Sequence, residues 1–111
     1  MATYELRVYT AVPGKMPALL SRFENETLKI WEGLGIRQLG FWTTLVGPNS
    51  NELTYILVWD SLSERERKVN AFAADAEWIE TRAKTEREAG GAIVEKIANL
   101  FLSPTGFSAL R

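Results

Sequence analysis

Four stretches of the chain are rich in β-branched and aromatic residues and are bounded by turn-forming residues, which is the pattern of β-strands. They cover residues 3–12, 36–46, 52–60 and 92–102. The segment GPNSN, residues 47–51, consists of residues that tolerate turn geometry. Because this turn is short, the second and third strands are predicted to pair as an antiparallel hairpin.

The segment between the first two strands has the period of an amphipathic helix. Its inward-facing positions recur at steps of three and four residues and form one stripe. The stripe consists of Met16, Leu19, Leu20, Phe23, Thr27, Ile30, Trp31 and Leu34. Pro17 falls in the first turn, where its missing N–H costs little. Gly33 and Gly35 supply the C-terminal end, so one helix is predicted from Met16 to Leu34.

The segment between the third and fourth strands predicts a helix that stops and restarts. Ser61 is followed by Glu64 three residues later, which is the spacing of a capping box. Asp75 is the expected N-cap of the second part. Gly90 and Gly91 end it. The chain therefore alternates in the order β-α-β-β-α-β.

This order is that of an α+β fold with the split βαβ, ferredoxin-like topology. Two right-handed crossovers place both helical segments on one face of a four-stranded antiparallel sheet. The length of 111 residues fits one domain. Residues 1–111 are therefore predicted to form a single ferredoxin-like domain, with 103–111 as an irregular C-terminal tail.

The sheet face away from the helices is also predicted to be apolar. Two alternating sets of side chains on the third strand are both largely apolar, namely Tyr55, Leu57 and Trp59 on one face and Thr54, Ile56 and Val58 on the other. A sheet that is solvated on one face normally alternates with polar residues. Monomers rarely expose an apolar patch of this size. The pattern predicts a homodimer that packs sheet on sheet.

Composition narrows the chemistry that is available. The net charge is -1 and no basic stripe is present, so nucleic acid is not an expected partner. Without Cys or His, the chain has no disulfide, thiolate nucleophile, soft-ligand zinc site or histidine-ligated haem. No acidic cluster has the spacing of a calcium loop. No metal or organic cofactor is therefore predicted.

The apolar stretches are far shorter than a membrane span. The first residues, MATYELRVY, carry early charges and lack the apolar region of a signal peptide. A cytoplasmic protein without a membrane span is therefore expected.

Three segments of the chain resemble the NIPSNAP family of the dimeric α/β-barrel group. They are YELRVYTAVPGKMPALLSRF, GIRQLGFWTTLVGPNSNELTYILVWDSLSERE and FAADAEW, and the resemblance runs from Tyr4 to about Phe107. It implies a ferredoxin-like subunit that dimerises through its sheet into a barrel, and it implies no agreed enzymatic activity. Gly106 departs from the resemblance, which leads us to expect proline there. Wider relatives of this fold include cofactor-free monooxygenases, muconolactone isomerases and haem-degrading enzymes, which is an analogy of fold alone.

The first strand carries three polar side chains on one face, Glu5, Arg7 and Tyr9. Arg7 presents a rigid fork of donors, so one interpretation is an anchor for an anionic or carbonyl ligand. The other interpretation is a structural ion pair with Glu5 or Glu86, since an unpaired buried charge costs too much. We interpret this face as a half-buried polar wall, whose polar groups pair with one another within the protein and which is also able to contact a ligand.

Aromatic residues on the strands form the second group of candidates. Tyr9, Trp42, Tyr55 and Trp59 either line a flat cleft for a ring or an acyl chain or pack in the core. Trp42 and Trp59 lie on paired strands, where stacking across the hairpin is possible.

Trp78 and Arg82 are four residues apart on a helix and therefore share a face. They either close the mouth of a pocket or form a surface stack of cation on ring. No residue is assigned a catalytic role, because no nucleophile motif, phosphate loop or metal spacing is present.

The sequence leaves three functions open. The main prediction is a homodimer that binds a small hydrophobic or aromatic molecule between its helices and its sheet. The alternatives are a cofactor-independent enzyme of the monooxygenase or isomerase kind and a protein-interaction module. The candidate pocket residues are Glu5, Arg7, Tyr9, Trp42, Tyr55, Trp59, Trp78 and Arg82.

Overall fold

A computed structural model of the protein describes residues 2–111. Within this range a π-helical turn joins the first two of four α-helices, and four strands complete the fold. The elements are β1 (Thr3–Ala11), α1 (Met16–Arg22), the π turn (Phe23–Thr27), α2 (Leu28–Leu34), β2 (Arg37–Thr43), β3 (Glu52–Trp59), α3 (Leu62–Ala73), α4 (Ala76–Ala89) and β4 (Val94–Leu102).

The strands form one antiparallel sheet in the order β2-β3-β1-β4. In the register, Arg7 of β1 lies between Tyr55 of β3 and Asn99 of β4, and Tyr55 also lies opposite Phe41 of β2. Since successive side chains point to opposite faces, the odd-numbered residues of β1 and β3 face the helices. The predicted ferredoxin-like α+β fold, with the helices on one face of a four-stranded antiparallel sheet, is confirmed.

The core lies between the sheet and the helices, and aromatic rings dominate it. The ring of Phe23 lies 5.2–5.7 Å, centroid to centroid, from those of Tyr9, Trp31, Phe41 and Tyr55. These separations suit tilted and edge-to-face ring pairs. By contrast, neither α3 nor α4 buries any side chain completely. The α1–α2 side of the helical layer is therefore packed more tightly on the sheet than the α3–α4 side.

The helix predicted from Met16 to Leu34 is continuous, but it is not α-helical throughout. The N–H of Leu28 donates to the carbonyl oxygen of Phe23 across five residues, whereas an α-helix bonds across four. The helix ends at Gly35, whose φ of 72° lies in the left-handed region. The predicted C-terminal glycine is confirmed, and the uninterrupted α-helix is wrong at the π turn.

The predicted helix starts of the second segment are confirmed. Ser61 Oγ accepts from the N–H of Glu64 at 3.0 Å, and the Asp75 carboxylate accepts from the N–H of Trp78 at 2.9 Å. Side-chain caps of this kind satisfy N–H groups that have no partner within the helix.

The predicted second strand is too long, because β2 ends at Thr43 and not at residue 46. Leu45 and Val46 are 96% and 93% exposed. They lie in a loop whose end is held by the Asn51 side chain, which donates to the carbonyl oxygen of Ala11. Apolar residues in a loop imitate the strand pattern, and the sequence offers no signal that separates the two.

The open face of the sheet, which points away from the helices, carries apolar side chains, as predicted. It includes Trp42, Leu100 and Leu102, which are 51%, 48% and 42% exposed. The tail borders one part of this face, where Leu110 and Tyr4 line the same shallow depression. Among residues 2–111, no helix combines the length and the apolar character that crossing a membrane would need.

Candidate functional site

A cleft of about 450 Å³ opens between the helices and the sheet, on the less tightly packed side of the helical layer. Its walls come from β1, from the α1–α2 region, from the junction of α3 and α4, and from the chain around the start of β4. The side chains that matter below are Tyr9, Arg22, Phe23, Thr27, Trp31, Phe72, Trp78, Arg82 and Glu86.

Aromatic rings form much of the cleft wall. The rings of Phe72 and Trp78 are stacked, with centroids 4.6 Å apart and an angle of 27° between their planes. The ring of Trp31 meets Phe72 edge-on at 5.9 Å. This stack links α3 to α4 across their junction. The cleft is therefore lined largely by aromatic side chains, which suit an apolar or aromatic ligand.

Three buried polar atoms in the cleft wall lack a hydrogen-bond partner among residues 2–111. They are Nε of Arg22, Oγ1 of Thr27 and Nε1 of Trp31. The three residues are only 6%, 2% and 4% exposed. Buried polar groups are normally hydrogen-bonded, and each unsatisfied one costs about 1–3 kcal/mol. Two of the three atoms are nitrogen donors, so a hydrogen-bond acceptor that reached this wall would satisfy them.

The π turn brings these groups together. In a regular α-helix, Arg22 and Thr27 would point about 140° apart, because each residue advances the helix by about 100°. The wider turn adds one residue, so the pair takes the relative position of an ordinary i, i+4 pair. Trp31 follows Thr27 by four residues on the same face. Single π-helical turns of this kind are frequent at functional sites.

Among residues 2–111, no carboxylate lies within 4 Å of the Arg22 guanidinium. Its carbon lies 5.3 Å from the centroid of the Trp78 ring. Burial lowers the pKa of Arg22, and the nearby charges of Glu86 and Arg82 act in opposite directions. Glu86 is engaged by Arg82, with Nε 3.4 Å from its carboxylate. An arginine remains protonated at all ordinary pH values, so the cleft wall holds a buried positive charge.

Beside the cleft, Glu5 is the centre of a buried hydrogen-bond network. Its carboxylate has no exposed surface and accepts from Arg7 at 2.8 Å and from Arg65 at 3.1 and 3.2 Å. It also accepts from Trp59 Nε1 at 3.0 Å and from Asn99 Nδ2 at 2.9 Å. Burial acts to raise the pKa of Glu5, but the bonds from Arg65, Asn99 and Arg7 outweigh it and hold the pKa below its ordinary value.

Arg7 uses its remaining donors within the same network. Its Nε donates to the Tyr55 hydroxyl at 2.8 Å, and its Nη2 donates to the Tyr9 hydroxyl at 3.4 Å. Burial raises the pKa of Tyr55 far above its ordinary value, so that the phenol stays neutral. The predicted ion pair of Arg7 with Glu5 is confirmed, whereas Glu86 pairs with Arg82 instead.

The predicted candidates fall into three groups, which are the residues of the cleft, the residues of the buried network and Trp42. Tyr9, Trp78 and Arg82 line the cleft. Glu5, Arg7, Tyr55 and Trp59 belong to the buried network around the Glu5 carboxylate. Tyr9 joins the two groups, because it lines the cleft and its hydroxyl accepts from Arg7.

Trp42 lies apart from all the others, and the suggested stack with Trp59 is wrong. In the register Trp42 is opposite Thr54, so both point to the open face, whereas Trp59 is fully buried on the helix face. The Trp42 ring lies over Gly40, where an added Cβ would come within 2.8 Å of it. Because neighbouring residues of a strand point to opposite faces of the sheet, Trp42 points away from the cleft, whereas Phe41 beside it points toward the helices.

The sequence reasoning missed Arg22, Thr27, Phe72 and Glu86 as residues of the cleft. One signal was available, since Arg22 follows Leu19 by three residues and therefore falls within the apolar stripe. A charge at such a position calls for a partner. The π turn itself has no sequence signature. In the part of the chain that the structure describes, no group of three or more carboxylates is arranged to hold a metal ion.

Solved structures of several bacterial proteins are similar to the whole chain. A NIPSNAP family protein from Agrobacterium tumefaciens is 26% identical, with a TM-score of 0.86 and all of both chains covered. A second A. tumefaciens NIPSNAP family protein, described as of unknown function, is 29% identical, with a TM-score of 0.83 and 99% and 94% of the two chains covered. An uncharacterised NIPSNAP-like domain protein from Burkholderia xenovorans is 25% identical, with a TM-score of 0.82 and 96% and 88% covered.

No functionally curated protein matches the chain. The sequence profile of the NIPSNAP family matches residues 4–109, which is nearly the whole length. The fold, the solved structures and the profile agree with the resemblance read from the sequence. The chain belongs to the NIPSNAP family.

Proposed function

We propose that this NIPSNAP protein binds a small hydrophobic or aromatic molecule in the cleft between its helices and its sheet. The observation that carries the proposal is a cleft whose lining combines aromatic side chains with residues that hold unpartnered buried polar atoms. Ligand sites typically measure about 300–1,000 Å³ and combine apolar walls with a few polar groups. The cleft has both properties.

The proposal includes a homodimer formed through the open face of the sheet. Supporting this, the face carries large apolar side chains on both outer strands, from Trp42 on β2 to Leu100 and Leu102 on β4. The molecule is only 19 Å across its shortest dimension, which accommodates the sheet and one layer of helices. A second copy would cover the open face and leave the cleft of each subunit accessible. The cytoplasmic location expected from the sequence is part of the same proposal.

The binding proposal is tested by isothermal titration calorimetry with flat aromatic probes, cinnamyl alcohol and naphthylmethanol. We expect one site per subunit. Ala73 lines the cleft and is exposed, so Ala73→Trp should fill the site and abolish binding without unfolding the protein. Ala71→Trp, at an exposed position of the same helix outside the cleft, is the matched control. Equal binding to both variants would place the probes elsewhere and overturn the proposal.

The dimer is tested by light scattering after size exclusion. Ile56 lies in the middle of the open face, so Ile56→Glu should convert a dimer to a monomer. Ile79→Glu places the same charge at an exposed position of α4 and should leave the dimer unchanged. A monomeric wild-type protein at micromolar concentration would contradict the proposed assembly.

A cofactor-independent enzyme is the second candidate, and the position of Tyr9 favours it. Tyr9 lines the cleft, its hydroxyl accepts a hydrogen bond from the Arg7 guanidinium, and tyrosine is among the side chains that act in general acid–base catalysis. The test is solvent deuterium exchange at the acidic carbon of phenylpyruvate. Acceleration by the wild type that is lost in Tyr9→Phe supports an acid–base role, and equal rates in both proteins reject it.

A further inference from the structure

We infer that the ligand of the cleft is an aromatic carboxylate whose charged end is held by Arg22, Thr27 and Trp31. This inference rests on the proposed binding function and specifies the chemical class of its ligand. It is carried by three side chains that line the same cleft, that are each more than nine-tenths buried and that each carry a polar atom without a hydrogen-bond partner.

The chemistry of these three atoms selects an acceptor. The guanidinium of Arg22 and the indole of Trp31 only donate hydrogen bonds, and the Thr27 hydroxyl is able to donate as well. An ionised carboxylate only accepts, and its two oxygens offer about four acceptor positions. An alcohol or a ketone supplies a single oxygen and no charge. A carboxylate is therefore the common small group that matches three donors of one cleft wall, one of them charged.

The charges around the cleft are compatible with an anion. Arg22 has no carboxylate within 4 Å, so an incoming anion displaces no existing ion pair. The lining contains three cationic side chains and two carboxylates, which are Arg22, Arg82 and Lys96 against Glu86 and Glu95. Glu86, the carboxylate that acts most strongly on Arg22, is already engaged by Arg82 at 3.4 Å.

The remaining residues of the cleft indicate the shape and polarity of the rest of the ligand. Its lining is aromatic there, with the stacked rings of Phe72 and Trp78 and the ring of Phe23. Arg22 itself is held against the Trp78 ring, which fixes the guanidinium without using its donors. A flat ring with a carboxylate at one end fits apolar walls that end in three donors.

The experiment compares the affinities of matched acids and alcohols by isothermal titration calorimetry. The pairs are cinnamate with cinnamyl alcohol and naphthoate with naphthylmethanol. The measured quantity is the ratio of the two dissociation constants, because a change in the apolar walls affects both members of a pair alike. Charge-assisted hydrogen bonds predict that the wild type binds each acid about 10- to 100-fold more tightly than its alcohol.

Variants assign that preference to particular atoms. Arg22→Gln should bring the ratio close to one, and Thr27→Val should reduce it several-fold. Since the Thr27 hydroxyl has no partner, Thr27→Val should not lower the melting temperature, which keeps the test valid if Arg22→Gln folds poorly. Arg87→Gln removes the same charge from an exposed position outside the cleft and should leave the ratio unchanged.

The outcomes separate this inference from the proposed function. Equal affinity for acid and alcohol in the wild type would refute the anion while leaving the binding function intact. An acid preference that persists in both Arg22→Gln and Thr27→Val would also refute it. If neither member of either pair binds, both proposals fail. The indole N–H resonance of Trp31 gives a direct readout, since it should shift with the acid while that of Trp42, on the open face, stays unchanged.

Discussion

Replacing Glu5 by Gln removes the charge at the centre of the buried network and nearly conserves its volume. The carboxylate is fully buried and accepts five hydrogen bonds, from two arginines, Trp59 and Asn99. Glutamine keeps one acceptor oxygen, but its amide group faces donors that it cannot satisfy. The variant also leaves two arginines close together without a counter-charge.

Breaking a buried ion pair by removing one partner costs about 3–5 kcal/mol. The side chains of Arg7 and Arg65 are 15% and 25% exposed, so water screens part of the released charge. We therefore expect the lower end of this range, about 3 kcal/mol. For a chain of this length, that loss lowers the melting temperature by about 10–15 °C.

Chemical denaturation followed by circular dichroism measures the free energy of unfolding, at one fixed protein concentration because association shifts apparent stability. Glu66→Gln is the matched control, because Glu66 is exposed on α3 next to Arg65 and takes part in none of the ion pairs of residues 2–111. It should change the free energy by less than about 0.5 kcal/mol. A Glu5→Gln protein within about 1 kcal/mol of the wild type would refute the reasoning about the buried network.

The difference in free energy of unfolding between the wild type and Glu5→Gln depends on pH, and the sign of this dependence is definite. The pKa of Glu5 in the folded protein lies below its ordinary value, so the ionised carboxylate stabilises the fold at pH values above about 4.3, the unfolded pKa. This contribution decreases below that pH and is lost as the pH falls through the folded pKa. The gap between wild type and Glu5→Gln should therefore be full near neutral pH and shrink in acid. A gap that is unchanged down to about pH 3 would show that charge is not its source.

Three further predictions concern the fold around the site. Gly35→Ala should cost about 1–2 kcal/mol, because Gly35 has a φ of 72° and the new Cβ would lie 3.1 Å from Lys68 Nζ. Gly33→Ala, inside α2 and in open space, should instead stabilise by about 0.5–1 kcal/mol in the same denaturation assay, and equal effects would contradict the helix end. Arg7→Met should lower thermal stability at least as much as it lowers probe affinity, and unchanged melting with lost binding would identify Arg7 as a ligand anchor. Ser61→Ala should cost about 0.5–2 kcal/mol by removing the cap of α3, and a variant as stable as the wild type would show that the cap contributes nothing.

The fold could be predicted from the sequence because its signals are local and periodic. Alternation marked β1 and β3, steps of three and four residues marked the first helical segment, and the Ser61 and Asp75 caps were visible as short motifs. The error in the predicted strand boundaries was also local. Leu45 and Val46 continue the strand pattern into a loop because periodicity does not report solvent exposure.

The cleft could be predicted only in part, because its residues meet through tertiary structure. The polar face of β1 was recognised, and the pair of Arg7 with Glu5 was among the alternatives. The donors of Arg22 and Thr27 were not recognised, because their alignment depends on the π turn. Trp42 was grouped with the pocket candidates, although its pairing with Thr54 places it on the open face, because the sequence alone does not fix the register of β2 on β3.

The most direct test of the cleft as a ligand site is a crystal structure of the protein with cinnamate. We predict the ring against Phe72 and Trp78, with carboxylate oxygens within hydrogen-bond distance of Arg22 Nε, Thr27 Oγ1 and Trp31 Nε1. Cinnamate bound elsewhere, or a cleft in which these three donors bond only to water at saturating cinnamate, would contradict both the site and its preference for an anion.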